Sequence, residues 1–174
     1  MEGRVQREAV ISDDGVYRYS LTREWGTEGG FVNFIMLNPS TADAQIDDPT
    51  IRRCIGFAKG WGFGGLIVTN LYAFRATDPK ALDKAADPIG PFWVDSIINA
   101  AKDSRMIVFA WGNFGAQAMP RLIPIIEPFL GRVCHLGLTK TKQPKHPLYL
   151  SKKTIPILWT RPPGDTKEGK SERG

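Results

Sequence analysis

The sequence predicts an α/β fold of three layers. A central, mostly parallel four-stranded sheet lies between two layers of helices, and an N-terminal β-hairpin is added to it. The first observation behind this prediction is that short apolar runs alternate with helical segments along the chain, which is the order that builds parallel sheets. The second is that residues 7–25 alternate apolar and polar side chains on both sides of one turn.

The chain has the length and composition of one globular domain. It has 174 residues, of which 42% are hydrophobic and 24% are charged, and these are ordinary values for a folded domain. We expect residues 1–164 to form this domain. Residues 165–174 carry no apolar side chain, so we expect them to form a disordered basic tail.

The first half of the chain predicts the hairpin, a buried strand and a helix. The hairpin at residues 7–25 has a tight turn at Asp14-Gly15 and is expected at an edge of the sheet. The mostly apolar run at residues 31–38 predicts a strand buried on both faces. Residues 47–62 predict a helix, because acidic residues lie near its start and Pro49 lies in its first turn.

The second half repeats the alternation of strands and helices. Apolar runs at residues 64–74, 105–112 and 132–138 predict three more strands. Helices are predicted at 92–104 and 113–130, and the last of these is broken by Pro120 and Pro124.

Positive charge is concentrated near the end of the chain. The net charge is +5, and residues 132–174 hold ten Lys and Arg against three acidic residues. A basic end on a near-neutral body favours a polyanionic partner, since phosphate neutralisation supplies most sequence-independent affinity for nucleic acids. The alternative is that the basic end only keeps the protein in solution.

Several functional classes are not expected. No run approaches the roughly 18 apolar residues that span a bilayer, and the start lacks the apolar core of a signal peptide, so we expect a cytoplasmic protein. Cys54 and Cys134 are too few for a disulfide framework or an iron–sulfur cluster. His146 has no second ligand at metal spacing, so we expect no metal. We also expect a monomer that needs no cofactor.

Polar residues follow the predicted strands. Parallel α/β sheets bind ligands at the carboxyl ends of their strands. Those positions hold Asn38-Pro39-Ser40, Asn70, Trp111-Gly112 and, beyond a loop, His146-Pro147. We therefore expect two side-chain amides, a histidine and a basic loop to meet on one rim of the sheet.

Each of these residues also has a structural interpretation. Asn38 could cap a turn or a helix, and Asn70 could bond to the backbone at its own strand end. Trp111 could belong to the core. His135 lies within the fourth predicted strand and fits a structural role, whereas His146 lies in a basic loop, where such a role is harder to assign.

In combination, these strand ends resemble the uracil-DNA glycosylase superfamily. MLNPS is similar to that family's water-holding turn, LIVTN to the strand that ends in a base-reading Asn, IVFAWGNFGAQA to its third motif and HPLYLS to its last loop. The resemblance runs in the same order over residues 31–155. The set NPSTAD, DDPTIRRC, NLYAFRATDP and HPLYL is also similar to an uncharacterised bacterial and phage family. This family resembles an outlying branch of the glycosylases, some of whose members act against phage with modified DNA.

The resemblance implies catalytic and base-binding roles. Asn38 would position the attacking water, with Asp43 or Asp48 as the fallback base, because an amide cannot act as a general base near neutral pH. Asn70 would hydrogen-bond the flipped base, and His146 would donate to, or electrostatically stabilise, the oxygen of the departing base. The remaining residues of the implied substrate site are Pro39, Ser40 and Phe57.

The resemblance also implies DNA contacts. A wedge residue would enter the duplex and fill the space left by the flipped nucleotide, and Leu150 aligns with the family's wedge leucine. The candidates for the wedge are Leu148, Tyr149 and Leu150. The candidates for phosphate contacts are Arg52, Lys140, Lys142, Lys145 and Ser151.

Ser40 bears on the substrate. Uracil-specific members of the superfamily carry a bulky Tyr after the proline, and a small residue leaves room beside the pyrimidine 5-position. We therefore predict a monofunctional DNA glycosylase that leaves an abasic site at a 5-substituted pyrimidine, such as glucosylated hydroxymethylcytosine of phage DNA, in antiviral defence. The alternatives are an inactive nucleic-acid-binding module, a uracil or mismatch repair glycosylase, and a hydrolase of free modified nucleotides.

Overall fold

A single seven-stranded mixed sheet forms the frame of the molecule. The computed structural model describes residues 4–160. The strands of the sheet are β1 (Gln6–Ile11), β2 (Arg18–Glu24), β3 (Phe31–Met36), β4 (Gly65–Asn70), β5 (Ser104–Phe109), β6 (Val133–His135) and β7 (Ile157–Leu158). Their order in the sheet is β1-β2-β4-β3-β5-β6-β7. The strands β3 to β6 are parallel, so the predicted parallel core is confirmed.

The central strands are buried on both faces, as their apolar runs predict. Strand β3 lies between β4 and β5, and five of its six residues are buried. All six residues of β4 are buried. Because these strands lie in the middle of the sheet, the chain that leaves their carboxyl ends turns toward one common rim.

Helices cover both faces of the sheet, which confirms the three-layer architecture. Helix α1 (Pro49–Gly60) packs on one face, where Ile51 and Cys54 meet Phe34 and Leu66. The opposite face carries α2 (Trp93–Asp103) and α3 (Met119–Ile126). No helix within residues 4–160 is long and apolar enough to cross a membrane.

Helix α1 begins as its sequence predicts. Asp48 is the N-cap, and its Oδ1 accepts a hydrogen bond from the Ile51 N–H at 2.8 Å. Pro49 occupies the first turn, where a missing N–H costs nothing. The helix ends before Gly62, whose φ of +86° suits a residue without a Cβ. The cap fixes the Asp48 carboxylate at the rim of the sheet.

The hairpin is confirmed and lies at an edge, since β1 is the outermost strand. Gly15 takes the turn conformation with φ of +72°. The pairing of the two strands shifts near the turn: Val10 lies opposite Ser20, but Ile11 lies opposite Arg18. Such a bulge interrupts the alternation of side chains between faces. As a result, the consecutive residues Arg18 and Tyr19 are both buried.

The end of the described chain differs from the prediction in two places. The helix predicted at residues 113–130, with breaks at Pro120 and Pro124, is three pieces: α3 has eight residues and is flanked by 3-10 segments at Asn113–Ala118 and Glu127–Arg132. Pro120 lies at the start of α3, as a residue without an N–H can, but Pro124 lies inside α3 and does not end it. Strand β7 was not predicted, since two residues carry no periodicity. The predicted tail at 165–174 lies outside the described residues.

Candidate functional site

A cavity of about 560 Å³ opens at the carboxyl ends of the parallel strands. Its walls come from the segments after β3, β4 and β5 and from the loop that follows β6. This is the position where parallel α/β sheets bind ligands, and the volume is within the usual range for small-molecule sites. The residues chosen from the sequence that line it are Asn38, Ser40, Asp48, Asn70, Lys145, His146 and Leu150.

The side chain of Asn38 is held in one orientation. Its Nδ2 donates to two backbone carbonyls, Ala76 O at 2.7 Å and Pro39 O at 3.2 Å. The Ala76 N–H in turn donates to Pro39 O at 2.9 Å. Because both neighbours of Nδ2 are acceptors, the nitrogen must point toward them. The Asn38 Oδ1 is therefore the atom left to meet a water or a ligand.

The side chain of Asn70 lacks the partner that its structural interpretation requires. Asn70 ends β4 and is 3% exposed. Its main-chain oxygen accepts from the Trp93 indole N–H at 2.8 Å, but its side-chain Oδ1 is buried without a hydrogen bond among residues 4–160. A buried acceptor without a donor costs free energy. A ligand N–H in the cavity would remove that cost.

His146 is arranged as a neutral donor. Its Nδ1 accepts from the Leu148 N–H at 3.2 Å, so the neutral ring carries its proton on Nε2. Burial lowers the pKa of His146 from its ordinary value, and the nearby Asp48 carboxylate opposes this shift. The loop that carries His146 is tied to the end of β5 by the hydrogen bond from Gly112 N–H to Pro144 O at 2.8 Å.

Of the two fallback carboxylates, only Asp48 lines the cavity. It also caps α1, so one of its oxygens is engaged with the backbone. The Oδ1 of Asp43 accepts from the N–H groups of Gln45 and Ile46, both at 2.8 Å, and these bonds lower the pKa of Asp43. Asp43 organises its own loop and is not part of the cavity wall.

The residues that follow Asn38 take different positions. Pro39 is buried behind the wall, whereas Ser40 lines the cavity. The main chain at Ala42 accepts a hydrogen bond from the Arg18 Nη1 at 2.8 Å. This bond anchors the loop after Ser40 to strand β2 of the N-terminal hairpin, whose residues were not among the predicted site residues.

Arg18 is the functional candidate that sequence reasoning missed. It lines the cavity and is 2% exposed. No carboxylate lies within ion-pair distance of it among the described residues, and its Nε has no hydrogen-bond partner. Burial lowers the pKa of Arg18 to about 10, so the guanidinium stays charged at neutral pH. The burial of Arg18 could not be predicted from the alternation of side chains, because strict alternation places either Arg18 or Tyr19 at the surface and the bulge breaks that alternation.

The aromatic candidates separate into core and rim. Phe57 does not reach the cavity, since its ring is buried and stacks on Trp61 at 5.3 Å between centroids. Trp111 is buried in the core and also lines the cavity, and its Nε1 donates to Gln143 Oε1 at 3.1 Å. Phe114 lines the same cavity and is 75% exposed. No signal in the sequence distinguished Phe114 from a core aromatic.

The basic loop, which carries Lys140, Lys142 and Lys145, is held together by its own hydrogen bonds and lies beside the cavity. Its backbone bonds to itself, with Thr139 N–H to Gln143 O at 2.8 Å and Lys145 N–H to Gly137 O at 3.0 Å. Lys145 lines the cavity, whereas Lys140 and Lys142 are exposed and outside it.

The predicted wedge residues border a second, shallow depression. Leu148, Tyr149 and Leu150 line it together with Arg52. Leu150 also lines the main cavity, so the two depressions adjoin. Tyr149 is 94% exposed and has a φ of +71°, a conformation that a bulky residue rarely adopts. Ser151 is exposed and its Oγ accepts from the Lys153 N–H at 3.2 Å.

The chemistry available in the cavity is polar and slightly cationic. Arg18 and Lys145 contribute positive charge, Asp48 contributes one negative charge, and His146 contributes a neutral donor. No group of three or more metal-ligating side chains is found within residues 4–160. The site can hold a polar ring, donate to oxygen atoms and orient a water.

The fold and the site define an α/β protein with an open, mixed sheet, a parallel core of four strands and a cavity at the carboxyl edge of that core. A family model, the protein of unknown function family DUF1643, matches residues 18–148, and the chain belongs to this family. The match contains Arg18, Asn38, Asn70 and His146. No curated protein matches the chain.

Proposed function

We propose that this protein is a monofunctional DNA glycosylase, which hydrolyses the N-glycosidic bond of a flipped, 5-substituted pyrimidine and leaves an abasic site. The observation that carries the proposal is that Asn38, Asn70 and His146, which lie on three separate segments of the chain, line one cavity. The order of their motifs is the order found in the uracil-DNA glycosylase superfamily. The proposed partner is DNA, bound by a monomer in the cytoplasm without metal or cofactor.

The reaction needs a positioned water, and Asn38 is suited to hold one. Its Nδ2 is occupied by two carbonyls, so its Oδ1 can accept from the water that attacks the anomeric carbon. An amide orients the water but does not take its proton. Asp48 is the carboxylate in the cavity and is the group that could receive the proton.

The reaction also needs stabilisation of the departing base. The sugar develops oxocarbenium character while the base leaves with negative charge on its oxygen. The Nε2–H of neutral His146 can donate to that oxygen, which is electrostatic stabilisation by a preorganised donor. The Asn70 amide would bind the edge of the base and fix its orientation.

The rim of the cavity fits a DNA backbone and a flipped nucleotide. Lys145 lies at the cavity and Lys140 and Lys142 beside it, where they can neutralise phosphates. The exposed ring of Tyr149, held in a rarely populated backbone conformation, and the adjacent Leu148 and Leu150 are the candidates to enter the duplex. Antiviral defence against phage with modified DNA is the biological role that this substrate class suggests.

The test is the appearance of abasic sites. Duplexes that each carry one modified pyrimidine are incubated with the protein and then treated with alkali, which cleaves the strand at an abasic site. We expect strand cleavage at glucosylated or hydroxymethylated cytosine, and a loss of about a hundredfold in the Asn38→Ala variant, because an unpositioned water reacts slowly. Asn99→Ala, an exposed asparagine on α2 outside this cavity, is the matched control.

A binding module that keeps the fold without the chemistry is the second candidate. The presence of Asn38 in place of an acidic residue favours it, because an amide is a weaker catalytic group than a carboxylate. DNA binding without any abasic product, for every base tested, would establish this candidate and exclude the glycosylase.

A further inference from the structure

The cavity contains two buried polar groups whose hydrogen-bonding capacity is unused. Arg18 is 2% exposed, and its Nε has no acceptor among the described residues. Asn70 is 3% exposed, and its Oδ1 has no donor there. Both residues line the cavity at the carboxyl edge. One group can only donate and the other can only accept, so a ligand that satisfies both must present an acceptor to Arg18 and an N–H to Asn70.

The unpaired state of Arg18 is costly for the folded protein. A buried charge without a partner loses its hydration and gains little in return. The carboxylate with the largest electrostatic effect on Arg18 is Asp48, which lies beyond ion-pair distance. Within the described residues, the guanidinium nitrogen that makes a hydrogen bond is Nη1, which donates to Ala42 O at 2.8 Å. A ligand oxygen that reaches the guanidinium would therefore gain a charge-assisted hydrogen bond.

The position of Arg18 relative to Ser40 indicates which part of the ligand it meets. Arg18 is anchored to Ala42, two residues beyond Ser40, and Arg18 and Ser40 line the same cavity. In the proposed function, on which this step rests, Ser40 lies beside the 5-position of the flipped pyrimidine. Arg18 then lies on the side of the 5-substituent.

We propose that Arg18 determines substrate specificity by donating hydrogen bonds to an oxygen atom of the group attached at the pyrimidine 5-position. The substrate class is a pyrimidine whose 5-substituent carries an oxygen acceptor, such as a hydroxymethyl group or a sugar linked through it. The Asn70 Oδ1 accepts from an N–H on the base edge. Bases with a hydrogen or a methyl group at the 5-position leave Arg18 unsatisfied and are bound less well for that reason.

The experiment compares duplexes that differ only at the 5-position of one cytosine. The substituents are hydrogen, methyl, hydroxymethyl and glucosylated hydroxymethyl, and both excision and the dissociation constant are measured for each. Methyl and hydroxymethyl differ by one oxygen, so their ratio isolates the contact with Arg18. We expect the wild-type protein to prefer hydroxymethyl over methyl by about tenfold or more, the usual value of a hydrogen bond to a charged group.

The Arg18→Gln variant should lose most of this preference. Arg18→Lys keeps the charge but lacks the planar fork of the guanidinium, so it should retain an intermediate ratio, and it remains informative if the glutamine variant does not fold. Arg121→Gln is the matched control. Arg121 also has an unpartnered Nε and donates to a backbone carbonyl, Leu71 O at 2.8 Å, but it does not line the cavity. Its ratio should equal that of the wild type.

The outcomes separate this proposal from the proposed function. A wild-type protein that does not distinguish methyl from hydroxymethyl, or Arg18 variants that keep the full ratio, would overturn the role of Arg18 even if bases are excised. Absence of abasic product together with an Arg18-dependent ratio of dissociation constants would overturn the glycosylase and support the role of Arg18 in binding. If there is neither abasic product nor an Arg18-dependent ratio of dissociation constants, the glycosylase and the role of Arg18 are both overturned.

Discussion

Strand β2 carries a buried arginine near each end, and the two arginines differ in the partners that the protein gives them. Arg23 is 0% exposed and Arg18 is 2% exposed. The Arg23 Nε forms an ion pair with Asp47 Oδ1 at 2.9 Å, and its remaining nitrogens donate to backbone carbonyls, among them Thr22 O at 2.9 Å and Asp43 O at 2.5 Å. Arg18 has one such carbonyl partner and no ion pair among the described residues.

The difference between the two residues teaches that burial alone does not indicate function. Arg23 holds the loop of residues 43–47 against the sheet, and its charge is neutralised within the protein. Arg18 lines a cavity, and no carboxylate among residues 4–160 forms an ion pair with it. A buried polar group with unused hydrogen-bonding capacity at a cavity wall is the more informative observation.

The largest expected effect on stability concerns Arg23. Arg23→Met leaves the Asp47 Oδ1 and several buried carbonyls without the donor that Arg23 supplies, which should lower the free energy of unfolding by about 3–5 kcal/mol. Arg18→Met removes the hydrogen bond to Ala42 O, but it also removes the cost of burying an unpaired charge. Because the two effects oppose each other, the free energy of unfolding should change by no more than about 1 kcal/mol.

Urea denaturation of both variants measures this difference. Arg7→Gln is the control, since it removes the second, partly exposed ion pair with Asp47 and should cost less than about 1 kcal/mol. An equal loss of stability for Arg18→Met and Arg23→Met would contradict the distinction between the two ends of β2.

The next effect concerns the orientation of Asn38. Asn38→Asp would place a carboxylate oxygen against the carbonyls of Ala76 and Pro39, which accept from Nδ2 in the wild type. An unpaired acceptor in that position is unfavourable. We therefore expect the aspartate variant to lose activity and stability, by about 1–3 kcal/mol in the unfolding free energy. A variant more active than the wild type would mean that the amide orientation is not fixed as described.

The third effect separates two roles of Asp48. Asp48→Ala should cost about 1 kcal/mol of stability through loss of the helix cap, whereas Asp48→Asn keeps a good cap and should cost much less. The asparagine variant removes only the charge. If Asp48 receives the proton of the attacking water, excision by Asp48→Asn should fall sharply while its thermal unfolding matches the wild type; retained excision would assign the water to Asn38 alone.

The smallest effect is a dependence of stability on pH through His146. Burial holds the pKa of the folded His146 below the ordinary value of 6.5. As the pH falls through 6.5 the unfolded state takes up a proton before the folded state does, so this contribution to stability is present above that pH and is lost below it. His146→Gln should flatten the stability profile between pH 7 and pH 5 in urea titrations. Excision that depends on neutral His146 should persist below pH 6.5 in the wild type.

The class of the fold was predictable from local pattern. The alternation of residues 7–25 and the apolar runs at 31–38 and 64–74 correspond to β1, β2, β3 and β4, because periodicity of buried positions is a property of neighbouring residues. The start of α1 at Asp48 was predictable for the same reason, since a cap and a first-turn proline are local features. The interruption of the third helix was predictable from its prolines, but the continuation of α3 through Pro124 and the two-residue strand β7 were not.

The candidate site was predictable where it follows from topology. Parallel strands end at one rim, so Asn38, Asn70 and His146 could be assigned to one region from their positions after strands. Which side chains face the cavity was not predictable. Phe57 and Asp43 are close in sequence to cavity residues, yet one packs in the core and the other bonds to its own loop.

By itself, the sequence determined the order of strands and helices, the strand ends that carry polar residues, and the cap that fixes Asp48. Only the tertiary structure decided that Arg18 enters the cavity while Arg23 is neutralised by Asp47. The physical reason is that these outcomes depend on a one-residue bulge and on partners far away in the chain. Local periodicity contains no information about such contacts.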